Sequence, residues 1–80
     1  MIRIGIIGVE GRMGLNILQL VTEAHDLTLG AAITHHGSPN IGQDAGSLLH
    51  SEPLNVRITD DVASTTKDVD VYIDFTLPEA

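Results

Sequence analysis

The chain has 80 residues, 42% of them apolar, no cysteine, and a net charge of −7 from four Lys and Arg against eleven Asp and Glu. That length makes at most one small domain, burying only about 60% of the surface its unfolded chain exposes. The charge argues against a nucleic-acid partner, whose phosphates need a basic stripe, and one Phe, one Tyr and no Trp leave no base-stacking platform.

No apolar run is long enough to span a bilayer, and Met1-Ile2-Arg3 does not open a signal peptide. Without cysteine there is no disulfide framework and no thiolate metal site, which fits a cytoplasmic protein. An acidic chain that binds a polyanion must do so through backbone N–H groups and a few local cations.

The first element supplies such groups. Ile2, Ile4, Ile6 and Ile7, with Gly5 between them, make the nearly continuous apolar run of a parallel strand buried on both faces. Gly8, Gly11 and Gly14 then recur at every third residue, a variant of the dinucleotide-binding fingerprint with Glu10 in the place of its second glycine. Gly8 allows the tight turn, Gly11 lets the backbone approach a pyrophosphate, and Gly14 lets the following helix pack close to the strand. The free N–H groups of the first helical turn and the positive end of the helix dipole form an anion site. Arg12 opposes that dipole by about 0.3–1 kcal/mol unless an anion sits there too. Glu10, which would repel a pyrophosphate, is expected to point to solvent. Three glycines at a strand–helix turn also permit plain tight packing, but the strand before them, the helix after them and Arg12 favour nucleotide binding.

Met13, Ile17, Leu20, Val21 and Ala24 fall at helical spacing opposite Asn16, Gln19 and Glu23. They predict a helix laid on a sheet by that face and ending near His25-Asp26, with His25 beside the dipole's negative end. Leu27 to Ile33 reads as the second strand of a right-handed βαβ unit of about thirty residues. In dinucleotide folds an acid about twenty residues beyond the last glycine meets the adenine ribose and favours NAD. Here Thr34-His35-His36-Gly37-Ser38 has no carboxylate, only hydroxyls and two imidazoles that could meet a 2′-phosphate, which tilts the reading toward NADP. A polar loop with two surface histidines, or a His-His pair with some metal affinity, is the plainer alternative.

Gly37-Ser38-Pro39-Asn40 and Gly42-Gln43-Asp44-Ala45-Gly46 are turn-rich, and Ser47 to Leu54 continue without clear periodicity, as in a mobile or functional loop. Asn55 to Thr59 alternates as a short third strand. Thr59-Asp60-Asp61 offers N-cap chemistry for a short helix through Val62 and Ala63 to near Lys67. Val69, Val71, Ile73 and Phe75 alternate with Asp70, Tyr72 and Asp74 as a fourth strand. Thr76-Leu77-Pro78-Glu79 then has capping-box spacing with a proline inside the first turn, and announces a helix. The pattern is α/β: a Rossmann-like parallel sheet of about four strands with crossover helices, residues 1–80 being a truncated N-terminal cofactor domain of a longer protein.

Three stretches together resemble the dihydrodipicolinate reductases (4-hydroxy-tetrahydrodipicolinate reductases) of lysine biosynthesis: Gly8-Val9-Glu10-Gly11-Arg12-Met13-Gly14, Gly42-Gln43-Asp44-Ala45-Gly46, and Asp70-Val71-Tyr72-Ile73-Asp74-Phe75-Thr76-Leu77-Pro78-Glu79. The resemblance spans nearly all of this chain but about the first third of a family member. It implies a homotetrameric cytoplasmic enzyme that transfers hydride from NADPH or NADH to a cyclic dicarboxylate, giving tetrahydrodipicolinate. The family's substrate and catalytic motif lies in a second domain, so no residue here is catalytic and none is a metal ligand. Carried over by position, Gly8, Val9, Glu10, Gly11, Arg12 and Met13 would wrap the cofactor pyrophosphate, and Phe75 and Thr76 would lie beside the nicotinamide half. Thr34 and His35 take the places where the family usually has an acid for the ribose hydroxyls and often an arginine for the 2′-phosphate. Rival readings are the cofactor domain of another amino-acid or sugar dehydrogenase, and a noncatalytic nucleotide-sensing module.

Overall fold

The central strand is β1 (Ile2–Ile7), paired in parallel on both edges. The structure, a computed structural model, describes residues 1–75. Helix α1 (Arg12–Glu23) leads from β1 to β2 (Leu27–Ile33), and β3 (Ile58–Thr59) and β4 (Val71–Asp74) follow. The sheet order is β3-β2-β1-β4, all parallel, so the chain passes from one edge of the sheet to the other after β3. This is the partial Rossmann-like α/β sheet that the sequence pattern implies, and β2 has the expected bounds. Among the described residues no helix is long and apolar enough to cross a membrane.

The core lies between the sheet and α1, where Ile4, Ile6, Val9, Leu18, Val21, Ala32, Ala45 and Ile58 form one buried cluster. Ile6 and Leu18 are fully buried, each contributing about 1.5–3 kcal/mol by leaving water. The buried face of α1 shares Val21 with the expected one, and Ile17 packs against the core, but the face is rotated away from Met13 and Leu20. Gly14, Leu18 and Val21 face the sheet, whereas Met13 and Leu20 are 59% and 58% exposed. The rotation is set by backbone contact: a Cβ on Gly14 would lie 2.2 Å from the Gly8 carbonyl oxygen, so position 14 must face the strand end. Residue 13, one step of about 100° around the helix, is thereby turned outward.

α1 also stops earlier than expected. Ala24 is extended, its N–H bonding back to the Leu20 carbonyl at 3.0 Å, and the Asp26 carbonyl accepts from the Ile2 N–H at 3.0 Å. The chain must be extended there because Leu27 already pairs with Ile2. His25 therefore lies outside the helix and exposed, not beside its dipole.

The connection from β2 to β3 has its own skeleton. Ala45–Leu49 is a 3-10 helix capped by Asp44 and touching α1. The Asp44 carboxylate accepts three backbone N–H bonds, from Gly46 at 2.7 Å, Leu54 at 2.8 Å and Val56 at 3.1 Å. Leu48, Leu49, Leu54 and Val56 pack against the core. Gly46 is seated so that a Cβ would lie 2.3 Å from the Glu52 carbonyl oxygen. The third strand is shorter than the alternation suggests. Asn55 is left-handed at φ 62 and Arg57 makes an isolated antiparallel bridge with Asp44, so only Ile58 and Thr59 remain for β2.

The short helix after β3 is 3-10 rather than α, spans Ala63–Asp68 and lies against β2. The Asp61 carboxylate meets the Ser64 N–H at 3.4 Å, while the cap position itself is Val62. The fourth strand begins at Val71, two residues later than expected, because Asp70 is engaged with Arg3: its N–H donates to the Arg3 carbonyl at 2.8 Å, and its carboxylate pairs with the guanidinium at 3.1 Å. The helix expected from Thr76 to Glu79 lies outside the described residues.

The Leu54 N–H, followed by those of Gly46 and Val56 and against the effect of burial, holds the Asp44 carboxyl below its usual range. A carboxyl lowered in the folded state stabilises fully above its unfolded pKa of about 3.9 and ceases to as pH falls through the folded value. Asp44→Asn should therefore lower stability by about 1–3 kcal/mol at neutral pH. In urea unfolding the gap to the parent should shrink below about pH 4. A gap constant down to acid pH would mean that the charge is not what holds the loop.

Candidate functional site

The site grows from the C-terminal ends of β1 and β2. Gly8 takes φ +85, a left-handed conformation that glycine adopts without strain, and turns the chain sharply off β1. The N–H groups of Gly8 and Val9 both donate to the Ile33 carbonyl at 3.0 Å, stapling the turn to the end of β2. The Gly11 N–H returns to the Gly8 carbonyl at 3.1 Å, and Gly11 is the N-cap of α1 with no side-chain bond over the helix start. α1 thus opens with uncapped N–H groups and with no acid in its first turn, the arrangement that attracts an anion.

The three glycines have different roles. Gly8 needs its φ, and Gly14 needs its missing Cβ. Gly11 needs neither for folding: its φ is −73, and a Cβ would meet the Gly8 carbonyl oxygen at an ordinary 3.4 Å. It is exposed, so its bare backbone matters on the solvent side. Val9 is fully buried beneath the turn with its N–H already given to the Ile33 carbonyl, while Arg12 and Met13 stand exposed on the first turn of α1.

A cleft of about 160 Å³ lies here, lined by Ile7, Gly8, Glu10, Gly11, Thr34 and His35. The fold thus brings the glycine turn and the end of β2 to one place. A larger hollow of about 520 Å³ is lined by residues such as Arg3, Thr28, Gly30 and Arg57 and has none of the turn residues in its wall. In an open parallel sheet, ligands bind outside the carboxyl ends of the strands, where the strand order reverses. The smaller cleft lies at those carboxyl ends on the β2 side of β1, and the reversal itself falls on the other side, between β1 and β4.

Glu10 does not point to solvent. Its carboxylate accepts from the hydroxyls of Thr34 and Ser38, both at 2.5 Å, and from the Asn40 side-chain amide at 3.0 Å. Thr34 and Ser38 are buried. Burial by itself would raise the Glu10 carboxyl, but the bonds from Ser38, Thr34 and Asn40 outweigh it and hold the group below its usual range. The solvent-facing expectation weighed Glu10 only against an anion in its own turn. The turn stands beside the loop after β2, and a glutamate side chain spans that gap.

His35 and His36 part company. His35 is exposed at the cleft with Nδ1 3.4 Å from the Thr34 hydroxyl, while His36 Nδ1 reaches the Asp60 carboxylate at 2.5 Å. Among the described residues no cluster of three or more His, Cys, Asp or Glu could hold a metal ion. Phe75 follows β4 and its N–H donates to the Ile7 carbonyl at 2.8 Å, so it flanks the end of β1 on the edge away from β2. Thr76 lies outside the described residues. Asn40 is the partner that sequence reading missed; nothing but turn composition marks it.

A family model described as "Dihydrodipicolinate reductase, N-terminus" matches residues 2–80. Two curated relatives from Anaeromyxobacter dehalogenans, strains 2CP-C and 2CP-1 / ATCC BAA-258, are each named 4-hydroxy-tetrahydrodipicolinate reductase. Each is 44% identical to this chain over 80 residues, which is 100% of the chain and 30% of the relative.

The turn geometry separates two substitutions that look alike in sequence. Gly14→Ala should destabilise by about 1–3 kcal/mol, since the new methyl meets backbone that cannot swing away. Gly11→Ala should leave stability within about 0.5 kcal/mol. Denaturant midpoints for the two variants check this, and equal losses would mean that the helix is not seated on Gly14.

Proposed function

The chain belongs to the dihydrodipicolinate reductase N-terminus family, and on that premise we propose that residues 1–80 are the nicotinamide-cofactor domain of a 4-hydroxy-tetrahydrodipicolinate reductase. The observation that carries the proposal is the uncapped start of α1 behind Gly8 and Gly11, opening on a cleft at the carboxyl ends of β1 and β2. The residues fit a dinucleotide. Backbone N–H groups of Arg12 and Met13 would meet the pyrophosphate over the bare Cα of Gly11, and the Arg12 side chain would add a cation. Thr34 and His35, with Glu10 between them and the turn, would lie along the adenine ribose. Phe75 and Thr76 would lie beside the nicotinamide half, on the other side of the β1 end.

Bound there, NADPH or NADH supplies the hydride that reduces a cyclic dicarboxylate, a step in lysine biosynthesis. The part of these residues is to fix the cofactor: the helix dipole and bare backbone hold its charge, and the turn's hydrogen bonds to Ile33 and Gly8 hold that backbone in place. The chain spans about 30% of the length of the curated relatives it matches. Substrate binding and proton transfer would fall to a second domain, in a cytoplasmic homotetramer.

The test is made on the full-length protein. It should oxidise NADH or NADPH when given 4-hydroxy-tetrahydrodipicolinate. Gly11→Val should weaken reduced-cofactor binding by about tenfold or more, or about 1.4 kcal/mol, with the circular dichroism spectrum retained. Undiminished affinity in a folded Gly11→Val protein would remove the pyrophosphate from this turn.

A further inference from the structure

β2 runs into Thr34 without an acid, although an acid near this point is what receives the ribose 2′-hydroxyl in dinucleotide folds. A carboxylate is nevertheless present there in space. Glu10 arrives from the glycine turn, lines the same cleft as Thr34 and His35, and is bonded to the loop that continues β2. We propose that Glu10, a residue of the turn and not of β2, is the ribose-recognising acid of this site, and that it selects NADH over NADPH.

The proton inventory supports this. Thr34 and Ser38 each have one hydroxyl hydrogen, and both are committed to Glu10 Oε2; Asn40 gives one amide hydrogen to Oε1. An ionised carboxylate has about four acceptor positions. Three are filled, which leaves one on Oε1 for an incoming hydroxyl. A ribose 2′-hydroxyl can donate to it. A 2′-phosphate has no such hydrogen in its dianionic form and brings two charges toward a third. Glu10 cannot readily retreat, because leaving would strand the buried hydroxyls of Thr34 and Ser38 without an acceptor. His35 does not cancel the effect through Nδ1. Since the Thr34 hydrogen already goes to Glu10, any bond between Nδ1 and the Thr34 oxygen has the imidazole as donor and directs that N–H toward Thr34.

The inference rests on reading the glycine turn as the cofactor site, and one experiment separates the two. Dissociation constants for NADH and NADPH are measured by calorimetry on the full-length protein, its Glu10→Gln variant and its Glu10→Ala variant. The parent should bind NADH at least about tenfold more tightly than NADPH. Glu10→Gln keeps an oxygen for Thr34 and Ser38 and so preserves the loop; it should narrow that ratio by about tenfold, chiefly through tighter NADPH binding. A parent that prefers NADPH overturns the inference, as does a ratio that neither variant moves. Equal weakening of both cofactors would reduce Glu10 to a loop anchor and also overturns it. A parent that binds neither cofactor would instead refute the cofactor reading, and the inference with it.

Discussion

With Gly14 seated against the Gly8 carbonyl, α1 has one rotation and one height above the sheet. Leu18 and Val21 then meet Ile4 and Ile6, and the first helical turn is left facing the carboxyl ends of the strands. The same contact that closes the core sets the direction of the uncapped N–H groups at the start of α1. A side chain at position 14 would push α1 away from β1, thin the core contact and displace the N–H groups together.

Two carboxylates hold the rest of the upper loop structure, and they do so differently. Asp44 gathers backbone N–H groups from Gly46, Leu54 and Val56, replacing the hydrogen bonds that a regular crossover helix would make for itself. Glu10 gathers side-chain donors instead, from Thr34, Ser38 and Asn40. Among the described residues no buried side-chain polar atom lacks a partner. The long irregular connection between β2 and β3 is thus ordered by local polar closure as much as by apolar packing.

Much of this is legible in the sequence, for physical reasons that also mark where reading fails. β1, the turn and β2 are plain because apolar runs and fixed glycine spacing each admit few geometries. The buried face of α1 is harder. Apolar residues cover much of its circumference, so Met13-Ile17-Leu20-Val21-Ala24 and Gly14-Leu18-Val21 are overlapping helical stripes that share Val21, and only the fit of Gly14 to the strand end decides between them. The 3-10 segments are too short to show a period, and β3 has two residues because Asn55 to Arg57 are drawn toward Asp44. At the site, the glycines can be read and the partners of Glu10 cannot. Its donors lie 24, 28 and 30 positions downstream and are brought near by the parallel pairing of β1 with β2.

The place of β1 between β2 and β4 has a consequence for how the chain is made. Arg3 and Asp70, which join the entrances of β1 and β4, are 67 positions apart. At a synthesis rate of about 5–20 residues per second, the first strand waits about 3 to 13 s for its last neighbour. During that interval β1 can pair with β2 under the cover of α1, while its other edge still offers unpaired N–H and C=O groups. The central strand is therefore the first of the four described strands to emerge, and it is paired on both edges only once β4 has been made. The nascent chain passes through a stage in which a half-built sheet must stay clear of other half-built sheets.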